Sequence, residues 1–197
     1  ILTKLIEHGE VNQSSLLLYC RLNLTKHKEI FDELERNNFV VKDLIRWVKP
    51  NPLWKNFTEE YTTDYELAIW AVKGGEWTFN FERQLINNLK NKKNPCLTPE
   101  YAGEVVVGEE RIHPTQKNIQ VMKEIISLHT NPNDLVLDPF IGSGATAVAC
   151  KELGRNFIGS EIDKDYFQKT EARLEKLNSQ QNAQIEVRKW SWLKIRK

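Results

Sequence analysis

Residues 131–163 read NPNDLVLDPFIGSGATAVACKELGRNFIGSEID, and the order of elements in that run is strand, glycine loop, helix, strand. Asp134 to Leu137 is a short run with no polar residue inside it, the composition of a strand covered on both faces of a parallel sheet. Its end carries Asp138, Pro139 and Phe140. Gly142-Ser143-Gly144-Ala145-Thr146-Ala147 follows, a G-x-G-x-x-A pattern that opens a helix running to Gly154. A second strand, Phe157 to Gly159, delivers Glu161 nineteen positions after Gly142. That is the spacing of a nucleotide-binding βαβ unit. Small residues bring the backbone close to the ligand, the helix N-terminus faces it, and the distal carboxylate holds ribose hydroxyls.

The glycine pattern alone also serves nicotinamide and flavin dinucleotides, and the acid in front of it separates the alternatives. A carboxylate at the end of the strand would face a pyrophosphate as like charge against like. It suits a ligand with cationic groups and no phosphate. S-adenosylmethionine, with its ammonium and sulfonium, is such a ligand, and Pro139 stiffens the turn that presents the acid. The competing reading gives Asp138 only the duty of capping the turn that follows it.

The segment DPFIGSGATAVACKELGRNFIGSEI, with His113-Pro114-Thr115-Gln116-Lys117 ahead of it, resembles the cofactor half of DNA amino-methyltransferases of the bacterial restriction-modification type. More narrowly it is similar to their β-group, in which the cofactor motif lies C-terminal to the catalytic motif. The resemblance runs from about Ile1 to about Leu177, and HPTQK together with DPFxGSG is far more specific than either alone. It implies an α/β fold of the Rossmann-like kind: a doubly wound, mostly parallel sheet with a small target-recognition insertion. It implies S-adenosylmethionine held by Asp138, Pro139, Phe140, Gly142, Ser143, Gly144, Thr146 and Glu161, with Phe140 packed on the adenine or methionine arm. Thr115, Gln116 and Lys117 would lie against the methionine end, where Lys117 or helix amides could meet the carboxylate. The substrate would be duplex DNA with one base flipped out, methylated on an exocyclic amino group, adenine N6 rather than cytosine N4. A homodimer and a cognate restriction endonuclease acting on the same site belong to the same picture.

Composition is compatible with this. A chain of 197 residues fits a single domain, and one of that size buries roughly 70% of its unfolded surface without staples. With 28 basic and 27 acidic residues the net charge is +1, so a nucleic-acid surface has to come from local clustering. Cys20, Cys96 and Cys150 are odd in number, far apart and in no metal-ligand pattern, which speaks against a disulfide framework and against zinc. A reducing cytoplasm is the simplest compartment. No run approaches 18 apolar residues, so no membrane span is expected.

In chain order, Ile1 to Gly9 has the apolar spacing of a helix tail, and Ser15 to Cys20 reads as a central strand. Thr25 caps a helix from Lys26 to Asn37. Phe39 to Lys49 and Tyr65 to Val72 read as antiparallel neighbours because no helix lies between them. Residues 1–73 thus supply the second half of the sheet. The loop between those strands holds Trp54, Lys55 and Phe57, suited to clamping a nucleic-acid strand or equally to tucking onto the neighbouring strand. Its Asn51-Pro52-Leu53-Trp54 imitates a catalytic Pro-Pro motif but has Leu53 in place of the second proline and follows the wrong strand.

Residues 74–112 have weak periodicity and a basic run, Arg83, Lys90, Lys92 and Lys93, with no acid between Arg83 and Glu100. In the resembling family this insertion point carries target recognition, with lysines and arginines on phosphates and Gln84, Asn87 and Asn88 in reach of base edges. A solvated charged face is the other reading. Residues 113–179 are the cofactor-binding half. Pro114 and Thr115 read as a helix start for Asn118 to Leu128, and Asp163 or Asp165 caps a final helix from Tyr166 to Leu177. The tail, 180–197, mixes Arg and Lys with Trp190 and Trp192, which suits nucleic acid or an extra edge strand.

The catalytic motif is the missing piece. In the resembling family an Asp-Pro-Pro-Tyr type tetrad accepts hydrogen bonds from the amino group of a flipped base. This sequence contains no Pro-Pro pair. In β-group order the motif would precede Ile1, so the expectation is an incomplete piece with little activity alone. A non-catalytic cofactor- or DNA-binding subunit is the alternative; a dinucleotide-dependent oxidoreductase or a small-molecule methyltransferase could use the same loop.

Overall fold

The computed structural model describes residues 14–20, 24–51, 64–81, 100–108 and 111–181, with side chains between Lys28 and Leu177. Strand β1 (Ser14–Cys20) is followed by helix α1 (Leu24–Arg36), β2 (Phe39–Val48), β3 (Tyr65–Lys73) and the short β4 (Glu100–Ala102). Helix α2 (Ile119–His129), β5 (Leu135–Asp138), α3 (Ala145–Leu153), β6 (Asn156–Gly159) and α4 (Lys164–Gln181) complete the order. Two compact units emerge: residues 1–105 with 124–130, and residues 106–123 with 131–197.

In the first unit the strands run β1-β3-β2-β4, with β3 antiparallel to both neighbours and β2 parallel to β4. β2 and β3 pair antiparallel, as the sequence leads one to expect. β3 is covered on both faces, which is why YELAIWAV shows no alternation. Ile69 and Ala71 pack with Leu34 and Phe39, joined by Ile30, Phe31 and Val41, so α1 covers one face. On the other face Trp70 stacks on Phe79 with ring centroids 5.1 Å apart and meets His129 at 4.9 Å.

Several expectations are corrected. β1, expected as a central strand, pairs with β3 alone among the described residues. α1 begins at Leu24, which puts Thr25 inside the first turn and not ahead of it. α2 begins at Ile119, with Asn118 as its cap: Asn118 Oδ1 accepts the amides of Gln120 at 2.9 Å and Val121 at 3.2 Å. Pro114 and Thr115 form a separate turn. For α4 the choice resolves to Asp163, whose Oδ1 accepts from the amides of Asp165 and Tyr166. β4 was not foreseen, since three residues are too few to show a period.

In the second unit β5 and β6 pair in parallel, and α3 lies against α4 through Ile141, Ala147, Val148 and Leu174. β5 departs from the fully covered strand expected of it. Leu135 and Leu137, on one face of the strand, are exposed, so among the described residues that face has no apolar cover. Asn51 is held by its side chain: Oδ1 accepts the Val105 amide at 2.7 Å and Nδ2 donates to the Val105 carbonyl at 3.3 Å. That is a backbone clasp, in keeping with a structural and not a catalytic asparagine. The N-terminal helix tail, Trp54, Lys55, Phe57, Arg83, Gln84, Asn87, Asn88, Lys90, Lys92, Lys93 and the C-terminal tail lie outside the described residues.

His129 is buried against Trp70 and Phe79, its Nδ1 has no hydrogen-bond partner, and burial lowers its pKa to about 4. The folded-state value lies below the unfolded value near 6.5, so protonation favours the unfolded chain. Stability should therefore be complete above pH 6.5 and fall as pH drops toward 4, by roughly 3 kcal/mol from this group. Urea melts of the wild type and of His129→Phe across pH 4–7 check it: the variant should lose less stability over that range.

Candidate functional site

The second unit builds one continuous structure from its glycine loop. β5 ends at Asp138, and the chain turns through Pro139 and Phe140 into Gly142 and Gly144, both left-handed at φ 50° and 74°. Such angles are strained for residues with a Cβ, and at Gly144 the space is also taken. A Cβ on Gly142 would lie 3.5 Å from the His113 ring, and one on Gly144 would lie 2.5 Å from Thr170 Cγ2. α4 grips the loop from behind. Thr170 Oγ1 donates to the Gly142 carbonyl at 2.7 Å, and Arg173 Nη1 donates to that of Ser143 at 3.0 Å.

The two acids expected to touch the cofactor both bind the loop. Asp138 Oδ1 accepts the Phe140 amide at 3.0 Å and Oδ2 accepts the Thr146 hydroxyl at 2.7 Å. Asp138 thus does cap the turn. Each carboxylate oxygen has a second lone-pair direction, so capping leaves acceptor capacity for a cation. Glu161 Oε2 accepts the Gly142 amide at 2.9 Å and Oε1 that of Asp163 at 3.0 Å. The amide of Ile141 donates to the Ser160 carbonyl, and that of Gly144 to Ile141. Amides 140, 141, 142 and 144 are therefore all engaged inside the protein.

This bears directly on ligand class. A diphosphate is held by free loop and helix amides, with no acid opposing it. Here amides 140, 141, 142 and 144 are taken, and a carboxylate stands at the carboxyl end of each of two adjacent parallel strands. The residues fit a phosphate-free ligand carrying positive charge. Beside the acids, Phe140 is 67% and Ile162 87% exposed, two apolar side chains at those same strand ends with room for a flat or aliphatic group. Among the described residues no group of three or more His, Cys, Asp and Glu could hold a metal ion, and no helix is long and apolar enough to cross a membrane. Cys150 is buried in α3; burial first, then the Asp138 charge, pushes its thiol up to about 12, against a weaker opposing effect of Arg155, so it stays protonated and unreactive.

The His113–Lys117 segment lies beside the glycine loop. Its contact with the loop is His113, whose ring lies over Gly142 and meets Tyr166 edge-on at 4.3 Å. His113 Nδ1 accepts the Thr115 amide at 3.2 Å, which puts the proton of the neutral ring on Nε2. Gln116 is buried, with Oε1 accepting the Ile112 amide at 2.9 Å, so it braces its own turn. Thr115 is exposed and Lys117 half-buried. His113, Ile162, Thr170 and Arg173 were absent from the sequence-derived set. His113 and Ile162 stand beside its motifs, but Thr170 and Arg173 lie on a helix face that no local pattern marks as facing the loop.

A parallel β-α-β unit with a glycine turn between strand end and helix, and acids at both strand ends, defines a nucleoside-binding half of Rossmann-like type. Residues 10–172 match the model of the N6/N4-methyltransferase family, described as DNA methylase, and the chain belongs to that family. Among curated relatives it is 34% identical over 149 residues to type II methyltransferase M2.LlaDCHI of Lactococcus lactis subsp. cremoris, covering 73% of this chain and 54% of that protein. It is 35% identical over 159 residues to type II methyltransferase M2.MboI of Moraxella bovis, covering 77% and 57%. The chain thus spans just over half the length of these curated relatives. Among solved structures, M1.HpyAVI in complex with SAM superposes with a TM-score of 0.70 at 44% identity, covering 88% of this chain and 83% of that one. PvuII DNA methyltransferase (cytosine-N4-specific) reaches 0.64 at 17% identity, a likeness of fold alone, covering 84% of this chain and 67% of that one.

Gly144→Ala should destabilise the chain by roughly 2–3 kcal/mol, from left-handed strain and from overlap with Thr170. Gly154→Ala has the same strain at φ 69° but nothing within 4 Å of the added Cβ, and should cost about 1 kcal/mol. Paired urea melts give the difference, which isolates the overlap.

Proposed function

We propose that this chain is the cofactor-binding part of an S-adenosylmethionine-dependent DNA methyltransferase of the restriction-modification type, acting in the cytoplasm on an exocyclic amino group within a short site in duplex DNA. The observation that carries it is the pair of carboxylates at the strand ends, Glu161 holding the Gly142 amide while the amides of Ile141 and Gly144 go to neighbouring carbonyls. Family membership supports the DNA substrate. Adenine N6 is preferred to cytosine N4 on the overall resemblance. Target recognition is assigned to the insertion around Arg83, Lys90, Lys92 and Lys93, with Trp54 and Lys55 on the same DNA surface.

The cofactor, when bound, supplies an electrophilic methyl group on a positively charged sulfur. Around it, Asp138 and Glu161 offer negative charge and acceptor oxygens for the ammonium and ribose hydroxyls, and Phe140 and Ile162 offer apolar surface. Gly142, Ser143, Gly144 and Thr146 shape the turn so that side chains do not block it. Pro139 and the Thr115–Lys117 segment complete the rim. No group in this sequence reproduces the Pro-Pro tetrad that would hold the target amino group. We infer that the chain by itself transfers little or no methyl.

Calorimetric titration tests the cofactor. S-adenosylhomocysteine should bind and NAD should not. Asp138→Asn keeps an acceptor for the Phe140 amide while removing the charge, so it should weaken S-adenosylmethionine at least tenfold with little change in melting temperature. Binding of NAD in preference to S-adenosylhomocysteine would sink the reading. For activity, tritiated-methyl incorporation into duplex DNA by the 197-residue chain should stay at background; robust incorporation, unaffected by Asn51→Ala, would show that the motif is not required.

A further inference from the structure

Resting on the methyltransferase reading above, we propose that Thr170, with Arg173 one turn further along α4, is a positioning residue for the cofactor: it fixes the glycine turn in the shape that S-adenosylmethionine meets, without touching the ligand itself. Thr170 is 3% exposed, so almost none of it is open to a bound molecule. A helical threonine ordinarily gives its hydroxyl proton to a carbonyl three or four residues back in its own helix. Here the proton goes to the Gly142 carbonyl, twenty-eight residues away, at 2.7 Å.

That bond completes the restraint on Gly142. Glu161 holds the Gly142 amide at 2.9 Å and Thr170 its carbonyl, so the peptide planes on both sides of the residue are set. The next plane is held in the same way. The Gly144 amide donates to the Ile141 carbonyl at 2.8 Å, and Arg173 Nη1 donates to the Ser143 carbonyl at 3.0 Å. Glycines have no Cβ to confine them, and a turn built on two of them would otherwise spread over many backbone conformations. A turn already held in one of them has less freedom to lose when a ligand arrives.

One donor in this turn is left over. The Gly142–Ser143 peptide is trans, so its N–H points opposite to its carbonyl, away from α4. Ser143 is buried, and among the described residues its amide has no hydrogen-bond partner. Buried backbone donors are nearly always paired, and an unpaired one in a binding turn is a donor kept for the ligand. Thr170 aims it, by holding the other end of the same plane. The methyl of Thr170 has a separate duty: Cγ2 fills the place beside Gly144, 2.5 Å from where a Cβ there would lie. Aiming and packing therefore sit on different atoms of one side chain and can be separated by substitution.

Isothermal titration of the full chain with S-adenosylhomocysteine, beside urea melts, makes that separation. Thr170→Val keeps the shape and drops the donor; Thr170→Ser keeps the donor and drops the methyl. Thr170→Val should bind about tenfold more weakly, and Thr170→Ser should stay within about twofold of wild type although it melts earlier. Arg173→Leu should weaken binding roughly fivefold. Gly154→Ala, destabilised at the far end of α3, should keep wild-type affinity, which distinguishes positioning from loss of stability. Wild-type affinity in a folded Thr170→Val chain overturns the inference and leaves the cofactor reading intact. Equal weakening in Thr170→Ser and Thr170→Val overturns it too, because the effect would then follow packing and not the hydroxyl. If Thr170→Val does not fold, Arg173→Leu decides in its place, and unchanged affinity there overturns the inference. A wild-type chain that binds no S-adenosylhomocysteine overturns the cofactor reading and this inference together.

Discussion

The carboxylate of Glu161 accepts the amide hydrogen of Gly142, and the second unit depends on that bond. It joins the end of β6 to the turn that follows β5, across nineteen residues of sequence. A glycine at 142 can present its amide in this direction because it takes a positive φ, and the His113 ring lies against it. Thr170 and Arg173 hold the carbonyls of the same turn from α4. The loop is therefore held through amides and carbonyls together, which gives a fixed platform rather than a flexible flap.

That arrangement has an electrostatic consequence. A glycine loop with free amides is an anion trap; with its amides paired to a carboxylate it presents negative charge. Discrimination between a dinucleotide and a sulfonium nucleoside then lies in where the loop's own hydrogen bonds go. Asp138 takes part in the same way: it caps the turn and still projects charge at the strand end, so two roles that seemed exclusive are compatible, because a carboxylate accepts more than one bond per oxygen.

The first unit is organised by β3, which has a strand on each side and packing on each face. One face carries α1. The other carries Trp70, Phe79 and the neutral His129, an aromatic group that tolerates no charge at its centre. The same packing that buries His129 fixes the Phe79–Asn80 backbone.

Local chemistry was legible in the residues alone. The order strand, glycine loop, helix, strand follows from apolar runs broken by Gly142, Gly144 and Gly154, and the acids at 138 and 161 follow from spacing. The antiparallel β2–β3 pair follows from two apolar runs joined by a stretch with no helical period in its sequence. Less local features were not: the cap at Asn118, the exposed leucines of β5, the bulge at Lys42 and the grip of Thr170 and Arg173 on the loop. Periodicity reports which face of an element is apolar, whereas these features depend on which other element arrives there. By itself the sequence determined the nucleoside-binding unit, because glycine freedom and charge act within a few residues. Only the tertiary structure decided what the loop's amides and carboxylates bind, since each partner comes from a distant part of the chain and is set by packing.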